Sequence, residues 1–153
     1  METALCLDPS TTCIGWAIVE KQKPAPRLID SGFYKPHGKT AYERIDDAHL
    51  WMLDLGGADM LIDTVVIEDT THGFYPSAKT GAIMGAMDYM IHSTYSPFLQ
   101  RYSPAEIKRA ATGHGDAKKG DVILSVARLW GMKDLPQEDQ ADALAIAWLW
   151  GHM

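Results

Sequence analysis

The sequence predicts an α/β fold in which a mixed five-stranded sheet is flanked by helices. Apolar β-biased runs and segments of helical spacing follow one another in the order βββαβαβ, and three further helices complete the chain. The chain has 153 residues, of which 46% are hydrophobic, so we expect residues 1–153 to form one domain with a proper core. This pattern indicates helices on both faces of the sheet.

The first three strands form a meander. Thr3–Asp8 and Ile14–Glu20 have the bias of buried strands, and the short Pro-Ser-Thr-Thr turn between them predicts an antiparallel pair. Arg27–Tyr34 alternates well enough to add a third strand. Asp8 therefore ends a core strand, where a carboxylate is either a turn-former before Pro9 or part of a site. The strand alone leaves both interpretations open.

The middle of the chain alternates helix and strand. Thr40 is a predicted N-cap, and Glu43 three residues later completes a capping box. Thr64–Glu68 is β-branched without alternation, which is typical of a strand covered on both faces, and it also ends in an acid. Residues 77–94 have helical composition, and residues 98–102 form a further short strand.

Three helices are predicted after the last strand. The first covers residues 103–111, with Ser103 as N-cap, and the second covers residues 118–130. The third covers residues 137–150 and is almost wholly apolar after Asp142. We therefore expect the last helix to be buried on most of its circumference.

Several classes of protein are disfavoured by composition. No apolar run approaches the roughly 18 residues of a membrane span, and the first residues lack a signal-peptide pattern. Cys6 and Cys13 do not make a disulfide framework, so we interpret them as reduced thiols in a cytosolic protein. The histidines and cysteines lack the spacing of a zinc site.

Charge is distributed unevenly along the chain. The net charge of −6 argues weakly against a nucleic-acid partner. Residues 45–69 carry seven acids and no Lys or Arg, whereas residues 20–44 and 101–128 each carry six bases against three acids. Two locally positive segments are consistent with a basic face, and equally with a mixed solvated surface.

Four acids carry the chemical argument. Asp139 and Asp142 share a face near the start of the last helix, and core residues surround Asp142, so it is costly to bury unless it is paired or bound to a cation. If the first and fourth strands are parallel neighbours, Asp8 and Glu68 end at the same edge of the sheet. Four converging carboxylates would accommodate two hard divalent ions about 4 Å apart, the arrangement used for in-line attack of water on a phosphodiester.

Four stretches resemble the RuvC family of Holliday-junction resolvases: DPSTTCIGWAIVE, VVIED, YSPAEIKRAATGHGDAKKGDV and EDQADALAIA. The resemblance spans nearly the whole chain and implies an RNase H-like nuclease domain. It implies a metal-binding catalytic tetrad and two Mg²⁺ ions per site, with Mn²⁺ as a substitute. It also implies that Lys108 and Lys119 lie near the scissile phosphate and that Lys119 takes part in catalysis. The tetrad consists of Asp8, Glu68, Asp139 and Asp142.

Other residues become candidates for contact with DNA. The resemblance implies that a loop aromatic after Glu68, here Phe74 or Tyr75, stacks on bases; packing on the protein's own surface is the alternative. Candidates from the basic segment and its glycine-rich loop are Arg109, His114 and Lys118.

The implied assembly is a homodimer that nicks two strands of a four-way junction symmetrically. Gly81 and Gly85 lie one turn apart and would let the helix over residues 77–94 approach its copy closely; packing on its own sheet is the alternative. Ser10 departs from the Gly that family members often have there, and the acidic net charge puts the strength of DNA binding in doubt. A phage-type member would act in the host cytoplasm.

Two rival functions remain at this stage. A flap- or fork-cutting nuclease of relaxed specificity would use the same tetrad. An actin-like ATP-binding domain also has a phosphate loop after a strand-ending Asp, but the chain is too short for its two lobes.

Overall fold

The computed structural model describes residues 1–55, 61–69, 77–96 and 98–153. Five strands and five helices lie within these residues, in the predicted order and with bounds close to those expected. They are β1 Thr3–Asp8, β2 Ile14–Glu20, β3 Arg27–Tyr34, α1 Ala41–Asp54, β4 Thr64–Glu68, α2 Ala78–Tyr95, β5 Leu99–Tyr102, α3 Pro104–Thr112, α4 Lys119–Leu129 and α5 Glu138–Gly151.

The strands form one mixed sheet in the order β3-β2-β1-β4-β5. β2 is antiparallel to both β1 and β3, whereas β1, β4 and β5 are mutually parallel. The carboxyl ends of β1, β3, β4 and β5 therefore meet at one edge of the sheet, which we call the C-terminal rim. β1 and β4 are parallel neighbours, which is the condition under which Asp8 and Glu68 end at the same edge of the sheet.

Helices cover both faces of the sheet, as predicted. Alternate residues of β1 point to opposite faces, so Ala4 and Cys6 pack with α3, α4 and α5, while Leu5 and Leu7 pack with α1 and α2. The apolar part of α5 is buried: Leu144 and Ile146 are 0% and 1% exposed. This burial holds the start of α5 against the sheet, next to the C-terminal rim.

The predicted helix starts are largely confirmed. Thr40 with Glu43 and Ser103 with Glu106 form reciprocal capping boxes at α1 and α3. The start of α4 differs slightly from the prediction, because Lys118 lies just before the helix and not within it. The Lys118 backbone N–H donates to Asp121 Oδ2 at 3.3 Å. Among the described helices, none is long and apolar enough to cross a membrane.

Candidate active site

Two of the site's acids are placed by the sheet. Asp8 ends β1 and Glu68 ends β4, and the neighbouring pair Leu7 and Ile67 is in parallel register. The preceding residues of both strands are buried, so each carboxylate marks the point where a core strand reaches the surface. Both acids line one cleft of about 160 Å³ at the C-terminal rim.

The start of α5 supplies the other two acids. The Gln137 side-chain oxygen accepts from the backbone N–H groups of Asp139 and Gln140, at 2.8 and 3.0 Å. The amide nitrogen of Gln137 donates to Asp139 Oδ2 at 2.9 Å. A single side chain therefore caps α5 and orients the Asp139 carboxylate. Asp142, one turn later, lies in the same cleft as Asp8.

Gly15 lets α5 approach the sheet closely. A Cβ atom at Gly15 would lie 1.8 Å from the backbone oxygen of Asp139, a distance no side chain tolerates. Gly15 pairs with Asp8 in the β1–β2 ladder. The absence of a side chain at Gly15 is therefore what allows Asp139 to lie beside Asp8.

The predicted tetrad is brought together. Carboxylate oxygens of Asp8, Asp139 and Asp142 all lie within 4.8 Å of one another. Glu68 lines the same cleft as Asp8 and Asp142, and its pKa responds to the charge of Asp142. The structure thus places four carboxylates from two strands and one helix at a single position on the C-terminal rim.

The carboxylates raise one another's pKa values. Burial raises the pKa of Asp8 well above its ordinary value, and the charges of Asp142, Asp139 and Glu68 raise it further. Burial also raises the pKa values of Glu68 and Asp142. A hydrogen bond between the Asp8 and Asp142 carboxyl groups also raises the pKa of Asp8 and opposes the rise in the pKa of Asp142.

Two lysines line the cleft beside the acids, as predicted. Lys108 of α3 and Lys119 of α4 lower the pKa of Glu68 through their charges. Lys119 forms an ion pair with Glu138 and lies 3.9 Å from Asp142 Oδ2. Its pKa is raised, first by the hydrogen bond with Glu138. Lys119 therefore stays protonated at the mouth of the cleft.

The other predicted DNA-binding residues lie apart from the cleft. His114 and Lys118 line a separate depression after α3. Arg109 packs its guanidinium near Gly115 and lowers the pKa of Glu106. Phe74 and Tyr75 lie outside the described residues.

Sequence reasoning missed three neighbours of the tetrad. Gln137 orients Asp139, Glu138 pairs with Lys119, and the Cys13 thiol forms a hydrogen bond with Asp139. Burial raises the pKa of Cys13 to about 11, so the thiol stays neutral beside the acids. The only sequence signal for these contacts is the position of Gln137 and Glu138 at a helix start.

The donor set fits divalent cations. Carboxylate oxygens are hard ligands, and Asp8, Asp139 and Asp142 present one each within 4.8 Å of the others. Partly buried carboxylates that repel one another are costly unless positive charge compensates them. The donor set of the tetrad is therefore suited to a divalent cation.

Known proteins resemble the chain over most of its length. A family model described as crossover junction endodeoxyribonuclease RuvC matches residues 4–150. The protein of that name from Aliarcobacter butzleri is 36% identical over 146 residues, 94% of each chain, and that from Wolinella succinogenes is 33% identical over 147 residues, 94% of this chain and 90% of its own. A solved structure of T. thermophilus RuvC in complex with Holliday junction substrate matches with a TM-score of 0.80 and 26% identity, covering 97% of this chain and 92% of that one.

Proposed function

The chain belongs to the RuvC family of crossover junction endodeoxyribonucleases and has its RNase H-like fold, and we propose that it resolves Holliday (four-way) DNA junctions by paired symmetric nicks. The tetrad at the C-terminal rim carries this proposal, because three of its carboxylates and two lysines line one cleft and a carboxylate oxygen of Asp139 lies within 4.8 Å of those of Asp8 and Asp142. The related T. thermophilus RuvC has been solved in complex with Holliday junction substrate. We take residues 1–153 as one nuclease domain.

The family's nucleases depend on divalent metal ions, and we propose Mg²⁺ here, two ions per site, with Mn²⁺ as a substitute. Their ligands would be Asp8, Glu68, Asp139 and Asp142, whose carboxylate oxygens suit hard cations. When bound, such cations supply Lewis-acid chemistry that activates water and stabilises the leaving oxygen of a phosphodiester.

The chain's own residues complete the site. Lys119 is protonated, and its ammonium would stabilise the negative charge that develops on the phosphate, while Lys108 would bind the phosphate from the α3 side. Glu138 holds the Lys119 ammonium near Asp142. The apolar side chains of Ile107, Val122 and Ile146 line the cleft beside the acids.

We propose a wider DNA surface along α3 and α4. Arg109, His114 and Lys118 lie on the segment that contributes Lys108 and Lys119 to the cleft, so they would contact phosphates away from the scissile one. Phe74 and Tyr75 remain proposed stacking residues from the sequence alone.

A homodimer through α2 would present two sites to a junction with two-fold symmetry. A Cβ at Gly85 would meet nothing within 4 Å, so the surface of α2 is open at this position in the single chain. Tyr89, one turn later, is 72% exposed. A mass of two chains in solution at micromolar concentration is expected, and a strictly monomeric mass would contradict the dimer.

The main rival is a flap- or fork-cutting nuclease of relaxed specificity with the same tetrad. Membership of a nuclease family leaves no basis for the actin-like ATP-binding alternative. We propose that the protein acts on DNA in the cytoplasm, or in the host cytoplasm if it is phage-encoded.

The deciding experiment compares end-labelled four-way junction, flap and linear duplex, each with and without Mg²⁺. We expect symmetric paired nicks in the junction, dependent on the metal, and little cutting of the duplex. Equal cutting of flap and junction would favour the rival nuclease. Cleavage that persists in a metal chelator would contradict the proposed chemistry.

A further inference from the structure

β3 also ends at the C-terminal rim. The acids lie between the end of β3 and α3. In the sheet order, β2 and β3 lie on one side of β1, and β4 and β5 lie on the other. α3 follows β5 and carries Lys108, so the acids at the ends of β1 and β4 lie between β3 and Lys108. Adjacent strands are about 4.8 Å apart, so the end of β3 is about 10 Å from the end of β1.

Phe33 faces the same side of the sheet as the active site. It pairs with Gly15, which in turn pairs with Asp8, and side chains paired across strands point to the same face. The Gly15 position faces the Asp139 backbone, so Phe33 lies on the α5 face next to the start of that helix. Its side chain is 47% exposed, which is high for an aromatic residue at the end of a strand.

The loop after β3 has a fixed conformation. Asp47 Oδ2 accepts from the backbone N–H of His37 at 2.7 Å, and Glu43 Oε2 accepts from that of Lys39 at 2.6 Å. Arg44 joins this loop to the turn after Asp8, because it donates to the carbonyl oxygens of Gly38 and Thr11 at 3.3 and 3.1 Å.

These hydrogen bonds leave the loop's lysines available. Glu43 and Asp47 are engaged by backbone groups, and Lys35 and Lys39 are exposed and in no ion pair with another described residue. Lys35 directly follows Tyr34, the last residue of β3, so it lies at the C-terminal rim.

We propose that Phe33, Lys35 and Lys39 form a second DNA-contacting surface, the β3 surface, which binds the substrate strand beyond the scissile phosphate on the side away from Lys108. This inference rests on the proposed function. A strand that crosses the acids must continue past both sides of the site, and about 10 Å corresponds to about three nucleotides of a B-form strand. The two lysines bind phosphates, and the Phe33 ring stacks on an unpaired base or packs on a sugar.

The test measures binding of a labelled four-way junction in a metal chelator, so that no cleavage occurs, over a range of salt concentrations. Each phosphate contact contributes about 0.9 to the slope of log K against log salt. The Lys35→Ala/Lys39→Ala protein is expected to lose about 2 from this slope and to bind roughly 10- to 100-fold more weakly at 0.1 M salt. A matched control, Lys23→Ala/Arg27→Ala, removes two exposed bases near the start of β3, at the end of the sheet away from the C-terminal rim. It should leave the slope unchanged.

A Phe33→Ala protein is expected to bind the junction several-fold more weakly with the wild-type salt slope, and Phe33→Trp is expected to restore binding. Unchanged unfolding midpoints establish that these proteins are folded. A wild-type slope in the Lys35/Lys39 protein, while Lys108→Ala lowers the slope, would overturn the β3 surface and leave the proposed function intact. A wild-type protein that binds junction no better than linear duplex would overturn the proposed function and this inference with it.

Discussion

Two acids near the C-terminal rim of the same sheet, Asp47 and Asp8, differ in the number of hydrogen-bond donors around them. Asp47 of α1 is surrounded by hydrogen-bond donors: Oδ2 accepts from the Tyr34 hydroxyl at 2.6 Å and from the His37 backbone N–H at 2.7 Å. Its pKa is lowered, mainly by the bond from the His37 backbone. Asp8 is buried among other carboxylates, and its pKa is raised.

The ionised form of Asp47 is stabilised by the fold, and the ionised form of Asp8 is not. The protein itself supplies hydrogen-bond donors to Asp47, so its ionised form stabilises the fold. The ionised form of Asp8 lacks enough such partners among the described residues, because Asp139 and Asp142 are also acceptors. Under the proposed function, a cation from solution would compensate the negative charge that the chain leaves around Asp8.

The largest expected effect comes from Asp8→Asn. Junction cleavage should fall by more than about 100-fold, since even the outer partners of a metal ligand contribute 10- to 100-fold. The unfolding midpoint of the metal-free protein should stay the same or rise, because the substitution removes a repelled charge. Steady-state cleavage and thermal unfolding measure the two effects. Asp54→Asn, which changes an exposed acid at the end of α1, is the control and should alter neither.

Gly15→Ala changes the position of the acids without changing their charge. The new methyl group would meet the Asp139 backbone at 1.8 Å, so α5 must shift away from β2. We expect a loss of about 1–3 kcal/mol in the free energy of unfolding, together with reduced cleavage. A Cβ at Gly120 would meet nothing within 4 Å, so Gly120→Ala is the control for stability. Denaturant unfolding that shows equal stability for the two variants would contradict the close approach.

The smallest effect is a difference in pH dependence. Because the pKa of Asp8 is raised in the folded state, Asp8 binds more protons in the metal-free folded protein than in the unfolded chain above about pH 4, so its contribution to stability falls as pH rises to the folded pKa. The stability advantage of Asp8→Asn should therefore grow from about pH 4 upward, by at most about 1.4 kcal/mol per pH unit.

The contribution of Asp47 to stability changes with pH in the opposite direction. Its lowered pKa gives stability that is present above about pH 4 and is lost as pH falls through the folded pKa. The deficit of Asp47→Asn should therefore shrink on acidification. Urea unfolding between pH 3 and pH 7 measures both variants. Parallel pH profiles for the two would show that the two acids do not differ as described.

Three acids of the tetrad were predictable because each interrupts an apolar pattern. Asp8 and Glu68 end buried strands, and Asp142 lies at the edge of a buried helix face, so local sequence locates all three. Their convergence required only a parallel pairing of β1 with β4, and the structure has that pairing.

The contacts around the tetrad were not predictable, because they depend on how α5 is placed against β2. Beyond the position of Gln137 and Glu138 at a helix start, no local pattern indicates that Gln137 reaches Asp139, that Glu138 meets Lys119, or that Phe33 lies on the α5 face. The close approach of Gly15 to Asp139 is likewise not visible in local sequence, because it links positions 124 residues apart in the chain. The roles of Phe74 and Tyr75 stay predictions from sequence.

The most direct test of the central claim is a Mg²⁺ titration of thermal stability in the wild-type and Asp8→Asn proteins. At a metal concentration of about 100 times Kd, binding to the folded state adds about 2.7 kcal/mol, which raises the midpoint of a chain of this size by about 5 to 11 °C. The wild-type protein should show this shift and Asp8→Asn should show little of it. Equal shifts in the two proteins would contradict the assignment of the tetrad as the cation site.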